Sequence, residues 1–246
     1  MFPYASDITI DAEDSLAVQT EAKRPPPIGA SIAIVRFPCL SNATDFRLLT
    51  WADWILSPPA RRYDFVILPG SKNTIEDLRW LRQVGLADWI VDEHRRGATV
   101  IGICGGFQML GRVIRDPGGL ESSLQCADGL ALLPAETVLA ADKTTEVRTA
   151  TTEGGVTFGA YEIHLGVTTV DRPVAPFATL NNGGLDGACV DRVVGTYLHG
   201  ALESAGVCSE LFGVPMERTT PKHEQYERLG AWFARHGRGL DRLGLF

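Results

Sequence analysis

The chain has 246 residues, 45% hydrophobic and 22% charged, enough apolar material for one large domain or one domain with appendages. Its net charge of −7 argues against a surface for nucleic acid or anionic membrane, both of which call for clustered Lys and Arg. No apolar run is long enough to cross a bilayer, and the opening MFPYASDITIDAEDS lacks the basic start and apolar centre of a signal peptide.

Residues 1–24 are acidic and poorly periodic, and KRPPPIGA then reads as a stiff linker ending at a domain start. This gives a linker over 1–27, a main domain over 28–212 and a helical tail over 213–246. ASIAIVRF reads as a buried first strand, bounded by Gly and Pro. DFRLLTWADWI is a helix candidate, or strand-like in part. YDFVILPGS is a second strand stopping in a Pro-Gly turn, and TIEDLRWLRQVGLADWIVDEHRRG is helical. Thr74 is its candidate N-cap, with Asp77 as a capping-box variant, and Gly97 ends it. ATVIGIC is a third strand and GFQMLGRVI a third helix.

Strands alternating with helices imply an α/β fold, a parallel sheet covered on both faces, with reactive groups at the carboxyl ends of the strands. LPGS and ICGG both fall there. Beyond residue 120 the pattern changes: TTEVRTATTEGGVTFGAYEIHLGVTTV reads as β-rich with glycine turns, ACVDRVVGTYLHG as a strand with a turn, and PKHEQYERLGAWFARHGRGLDRLGLF as an amphipathic helix.

The five cysteines, Cys39, Cys104, Cys126, Cys189 and Cys208, are odd in number and far apart. No C-x-x-C pair points to zinc or a redox dithiol, so free thiols in a reducing cytoplasm are the simplest reading. One of them stands out. Gly102-Ile103-Cys104-Gly105-Gly106 has the form of a nucleophile elbow, where a sharp strand-to-helix turn lifts the nucleophile above the sheet and its neighbours must be small. A sulfur there lies at a helix N-terminus, which favours thiolate, and nearby backbone N–H groups can hold an oxyanion. The alternative is a buried structural cysteine in a Gly-rich turn.

A thiolate nucleophile calls for a histidine to shuttle protons. His94 and His236 sit among charged residues at helix ends, and His223 in a charged stretch. His199 ends an apolar strand at the level expected for Cys104, and His164, in YEIHLG, is its competitor.

At this point GICGGFQMLGR, FVILPGSKNTIEDLRWLR, YEIHLG and GTYLHG resemble, in order, motifs of the glutamine amidotransferase domain of the cobyric acid synthase family. IVRFPCLSNATDF is similar to that domain's opening strand and turn, and FPYASDITIDAEDSLAV resembles the stretch joining it to a preceding synthetase domain. The resemblance implies a class I, triad-type glutaminase on a flavodoxin-like fold. Its cysteine forms a γ-glutamyl thioester with glutamine and releases ammonia for ATP-dependent amidation of corrin carboxylates, on the route to cobalamin.

Carried over by residue, the resemblance makes Cys104 the nucleophile and His199 the base. The oxyanion donors are Gly105 and Gly70 or Ser71, and Gln108 helps hold glutamine. Tyr161, Glu162, Ile163 and His164 line the same pocket. No metal or cofactor is implied for this chain.

Two departures stand out. Many such enzymes carry His-x-Glu, but here the run is His199-Gly200-Ala201, as the cobyric acid branch generally has it. Glu162 or a backbone carbonyl is left as the candidate orienter of the imidazole. The chain also has no G-x-x-x-x-G-K-[ST] phosphate loop, so ATP and Mg are expected only in a synthetase domain or subunit, which is the implied partner. Rival readings are a related amidotransferase acting on the a,c carboxylates or a cell-wall precursor, a catalytically silent binding domain, and a cysteine hydrolase or peptidase.

Overall fold

The computed structural model describes residues 26–27, 30–216 and 222–236. The segment read as an acidic linker lies, but for residues 26–27, outside the described residues, as does the tail beyond 236. The chain divides into two units, and the described residues up to Met216 lie in the larger one.

In the larger unit the elements run β1 (Ile32–Val35), β2 (Leu40–Ser41), a 3-10 turn (Ala43–Phe46), β3 (Asp53–Ile55), β4 (Phe65–Leu68), β5 (Gly70–Ser71), α1 (Thr74–Gln83), α2 (Leu86–Arg95), β6 (Thr99–Ile103) and α3 (Gly105–Leu110). They continue with β7 (Val113–Arg115), β8 (Cys126–Asp128), β9 (Ala135–Thr152), β10 (Thr157–Val170), β11 (Ala178–Leu180), β12 (Leu185–Asp186), β13 (Ala188–Val190), β14 (Val193–Thr196) and α4 (Ala205–Phe212). Helix α5 (Lys222–His236) belongs to the other unit.

The central sheet has the order β13-β14-β6-β4-β1-β3. All its pairings are parallel except β13 with β14. Counting only the parallel strands in chain order, the arrangement is 2-1-3-4-5, the flavodoxin-like winding. Because side chains alternate across a strand, each buried strand feeds two cores. Ala33, Val35, Val66, Leu68 and Val100 pack with Leu78, Leu81 and Ile90 of α1 and α2. Ile32, Ile34, Ile67, Ile101 and Ile103 pack on the other face with Phe46, Cys208 and Phe212. This is why the strands read as unbroken apolar runs rather than alternating ones.

Between β6 and β14 a second sheet takes the place of a simple helical crossover. Its order is β12-β11-β9-β7-β8, with β10 paired antiparallel to β9. The β9–β10 hairpin is its longest feature and brings YEIHLG, residues 161–166, back toward the central sheet.

Several local expectations change in the structure. The 74–97 helix is two helices, because Gly85 adopts φ 78° and breaks it. Its N-cap is Asn73, not Thr74: the Asn73 side chain accepts from the Glu76 amide at 3.1 Å. DFRLLTWADWI holds a 3-10 turn and then β3, which pairs with β1, so its strand-like part is real and its helix is a single turn. GFQMLGRVI stops being helical at Leu110 and continues as β7.

Candidate active site

Cys104 caps α3 with φ 52° and ψ −110°, a conformation costly for any residue with a side chain. The turn is tight enough to dictate its neighbours. A Cβ on Gly102 would stand 2.6 Å from the Gly106 carbonyl oxygen, and one on Gly106 would stand 2.0 Å from the Leu68 carbonyl oxygen. The amide of Cys104 donates to the Thr196 carbonyl at 2.8 Å, which ties the elbow to the end of β14.

Three residues beyond that strand, His199 is fully buried beside the cysteine. Its backbone exchanges hydrogen bonds with Tyr161, at 2.9 Å and 3.1 Å, and the Tyr161 ring stacks on the imidazole with centroids 5.2 Å apart. On one edge of the ring Nδ1 lies 2.7 Å from Asp45 Oδ2, and on the other Nε2 lies 3.3 Å from Asn42 Nδ2. Burial alone would lower the imidazole pKa, but the hydrogen bond to the Asp45 carboxylate and the nearness of Cys104 raise it to about 10.

His164 is placed differently. It stacks on Tyr197 at 3.8 Å, Nδ1 lies 3.2 Å from the Gly166 carbonyl, and burial depresses its pKa. Of the two competing histidines, His199 is the one whose titration Cys104 influences, and its ring is held by Asp45 and Asn42.

The loop after β4 supplies the facing wall. The Ser71 amide nitrogen would stand 3.0 Å from a Cβ on Gly105, so these two backbones lie side by side. Gly105, as the first residue of α3, has no earlier turn to accept its N–H. Gly70 packs against His199: a Cβ there would meet the ring's Cε1 at 3.0 Å. Ser71 is held by its hydroxyl, which donates to Asp77 at 2.5 Å.

The hairpin supplies the roof. The Cys104 thiol points at the Ile163 carbonyl, 3.6 Å away. Glu162 is bound 2.9 Å from Arg148 on β9, so it does not orient His199; Asp45 occupies that position. Gln108 is buried and faces the protein rather than solvent. Its carbonyl accepts from Thr74 at 3.1 Å, and its amide donates to the Leu165 carbonyl at 2.9 Å and to the Tyr197 hydroxyl at 3.2 Å. Tyr197 continues this network to Thr168 at 2.5 Å.

Cys104, His199, Gly70, Ser71, Gly105, Gln108 and the 161–164 segment thus converge at the carboxyl ends of β4, β6 and β14. Sequence reasoning missed Asn42, Asp45 and Tyr197. The first two follow β1, next to the point where the winding reverses, and that position is the available signal. Among the described residues no three His, Cys, Asp or Glu side chains group to hold a metal ion, and no helix is long and apolar enough to cross a membrane.

The fold is that of solved glutamine amidotransferases. One such structure superposes with a TM-score of 0.56 at 17% identity, over 75% of this chain and all of the other. A chain of the PurLQS structure from Thermotoga maritima gives 0.53 at 16%, over 75% and 92%. At these identities the likeness speaks to fold alone.

Sequence narrows the class. The CobB/CobQ-like glutamine amidotransferase domain matches residues 31–207, and the chain belongs to that family of amidotransferase enzymes. The cobyric acid synthase of Bacteroides fragilis is 39% identical over 252 residues, 95% of this chain and 51% of that protein. That of Salmonella agona is 41% identical over 220 residues, 80% of this chain and 43% of that protein. The chain spans about half the length of these curated relatives.

Proposed function

We propose that this chain is the glutaminase portion of a cobyric acid synthase, making ammonia from glutamine for the ATP-dependent amidation of corrin side-chain carboxylates. The observation that carries this reading is the strained Cys104 elbow with His199, buried and hydrogen-bonded to Asp45, beside it.

In the proposed reaction the Cys104 thiolate attacks the side-chain amide carbon of glutamine. The carbonyl oxygen gains negative charge, held by the N–H groups of Gly105 and of Gly70 or Ser71. The His199 imidazolium gives its proton to the amide nitrogen as the C–N bond breaks, releasing ammonia and leaving a γ-glutamyl thioester. Neutral His199 then takes a proton from water, whose oxygen attacks the thioester carbon. Glutamate departs and the thiolate–imidazolium pair returns. Tyr161 and the 162–164 segment wall the pocket, and Gln108 acts through that wall.

The acceptor chemistry belongs elsewhere. The sequence contains no G-x-x-x-x-G-K-[ST] loop, and the relatives named cobyric acid synthase are about twice as long as the stretch matched here. We assign ATP, Mg and the corrin acceptor to a synthetase half. The test is to combine the chain with such a half, ATP and the corrin acid. Glutamine should yield amidated corrin, and Cys104→Ser should abolish this while free ammonium restores it. Failure of ammonium to rescue that variant would contradict the division of labour.

A further inference from the structure

We infer that Asp45 supplies the acid of this site: a positioning residue that fixes the His199 tautomer and stabilises its imidazolium from an element 154 residues away in the chain. The inference rests on the reading of Cys104 and His199 just given.

The acid cannot come from the histidine's own segment. Two residues after His199 stands Ala201, which is fully buried in the apolar cluster with Phe158, Phe177 and Leu198. A carboxylate side chain there would enter a packed hydrophobic core. The neighbouring acids are also committed. Glu203 pairs with Arg47 at 3.1 Å, and Glu162 with Arg148 at 2.9 Å.

Asp45 approaches the ring from the other side, and its geometry is fixed at both oxygens. Oδ2 lies 2.7 Å from His199 Nδ1, and Oδ1 accepts the Gly200 amide at 2.8 Å. The carboxylate therefore grips the ring and the backbone that carries it. Its own position is set by the 3-10 turn, where the Asp45 amide donates to the Asn42 carbonyl at 3.0 Å and Phe46 anchors in the core. Both Asp45 and His199 are fully buried, so no water competes for this contact, and among the described residues the carboxylate pairs with a cation only while the ring is protonated. With the Nδ1 proton held by Asp45, Nε2 is the basic nitrogen: in the neutral ring it accepts from the Asn42 amide at 3.3 Å, and that contact yields when Nε2 exchanges a proton with Cys104 and the leaving nitrogen.

A purely structural pair would hold the loops together without altering proton transfer, and this difference is measurable. The experiment compares wild type with Asp45→Asn, Asp45→Glu and Cys104→Ser in the full chain. It reads glutamate release and the pH dependence of Cys104 alkylation by iodoacetamide, mapped by peptide mass. Asp45→Asn should lower kcat by on the order of 10²–10⁴-fold with little change in KM, and should move the alkylation midpoint to higher pH. Asp45→Glu should recover part of both. A lower kcat with an unchanged alkylation profile, or full activity in Asp45→Asn, would overturn the inference while leaving the Cys104 assignment standing. Glutamate release by Cys104→Ser would sink both. If Asp45→Asn does not fold, ¹⁵N-histidine spectra of the wild type decide: His199 should carry a proton on Nδ1, and a ring protonated only on Nε2 contradicts the role.

Discussion

The Gln108 side-chain amide donates to the Leu165 carbonyl at 2.9 Å, joining the helix that starts at Cys104 to the hairpin that roofs it. The same amide reaches Thr74 and Tyr197, so one side chain ties α1, α3, β10 and the segment leading to His199. Gln108→Leu keeps the bulk and removes every one of these bonds. Each buried partner left unsatisfied costs about 1–3 kcal/mol. The variant should melt at a lower temperature and show a raised KM for glutamine, with a smaller loss in kcat. An unchanged KM would mean that the roof does not need this tie.

The elbow's demand for glycine is equally specific. A Cβ on Gly106 would sit 2.0 Å from the Leu68 carbonyl oxygen, so Gly106→Ala cannot keep the turn and should abolish glutamine hydrolysis. On the hairpin, a Cβ at Gly159 meets nothing within 4 Å. Gly159→Ala should change stability by less than about 0.5 kcal/mol and leave turnover intact. Thermal melts and glutamate release on the two variants separate a steric requirement from a general intolerance of alanine.

The Gly-x-Cys-x-Gly spacing was legible because the geometry that demands small residues is local. His199 was legible as a strand-end imidazole, since the parallel strands are buried on both faces and read as plain apolar runs. Asp45 was not. It is one acid among 30 Asp and Glu, and nothing in a 3-10 turn marks it as the partner of a residue so distant in sequence. Glu162, in a motif beside the other histidine, is the acid that sequence proximity favours, and Arg148, on the paired strand, takes it instead. The true extent of β9 was also hidden: AADKTTEVR is mostly exposed or half-exposed, so no period-2 apolar pattern marks it. Helical patterning on both sides of Gly85 hides the break there.

The pKa of His199 makes a prediction with a definite sign. Folding raises it from 6.5 to about 10, so the folded state binds the extra proton between those values. The stabilisation is fully present below about pH 6.5 and is lost as pH rises through about 10. Half-buried Cys189 and buried Cys208, whose pKa values are pushed up to about 11 and about 12, also weaken the fold at alkaline pH. The measurement is therefore a difference: urea stability of wild type minus that of His199→Asn, which should shrink from pH 7 to pH 10. A constant difference would show that His199 is not held as imidazolium. In kinetics, His199→Asn should cost on the order of 10²–10⁴-fold in kcat. His164→Asn, which loses only the stack on Tyr197 and the bond to Gly166, should act on KM.

The central claim is that Cys104 is the nucleophile toward glutamine. The most direct measurement is to treat the protein with a glutamine analogue carrying an electrophile at the side-chain amide position, then map the adduct by peptide mass spectrometry. One covalent adduct on Cys104 is expected. Glutamine should protect against it, and Cys39, Cys126, Cys189 and Cys208 should stay unmodified. An adduct on any of those four, or labelling of Cys104 that glutamine does not slow, would contradict the account.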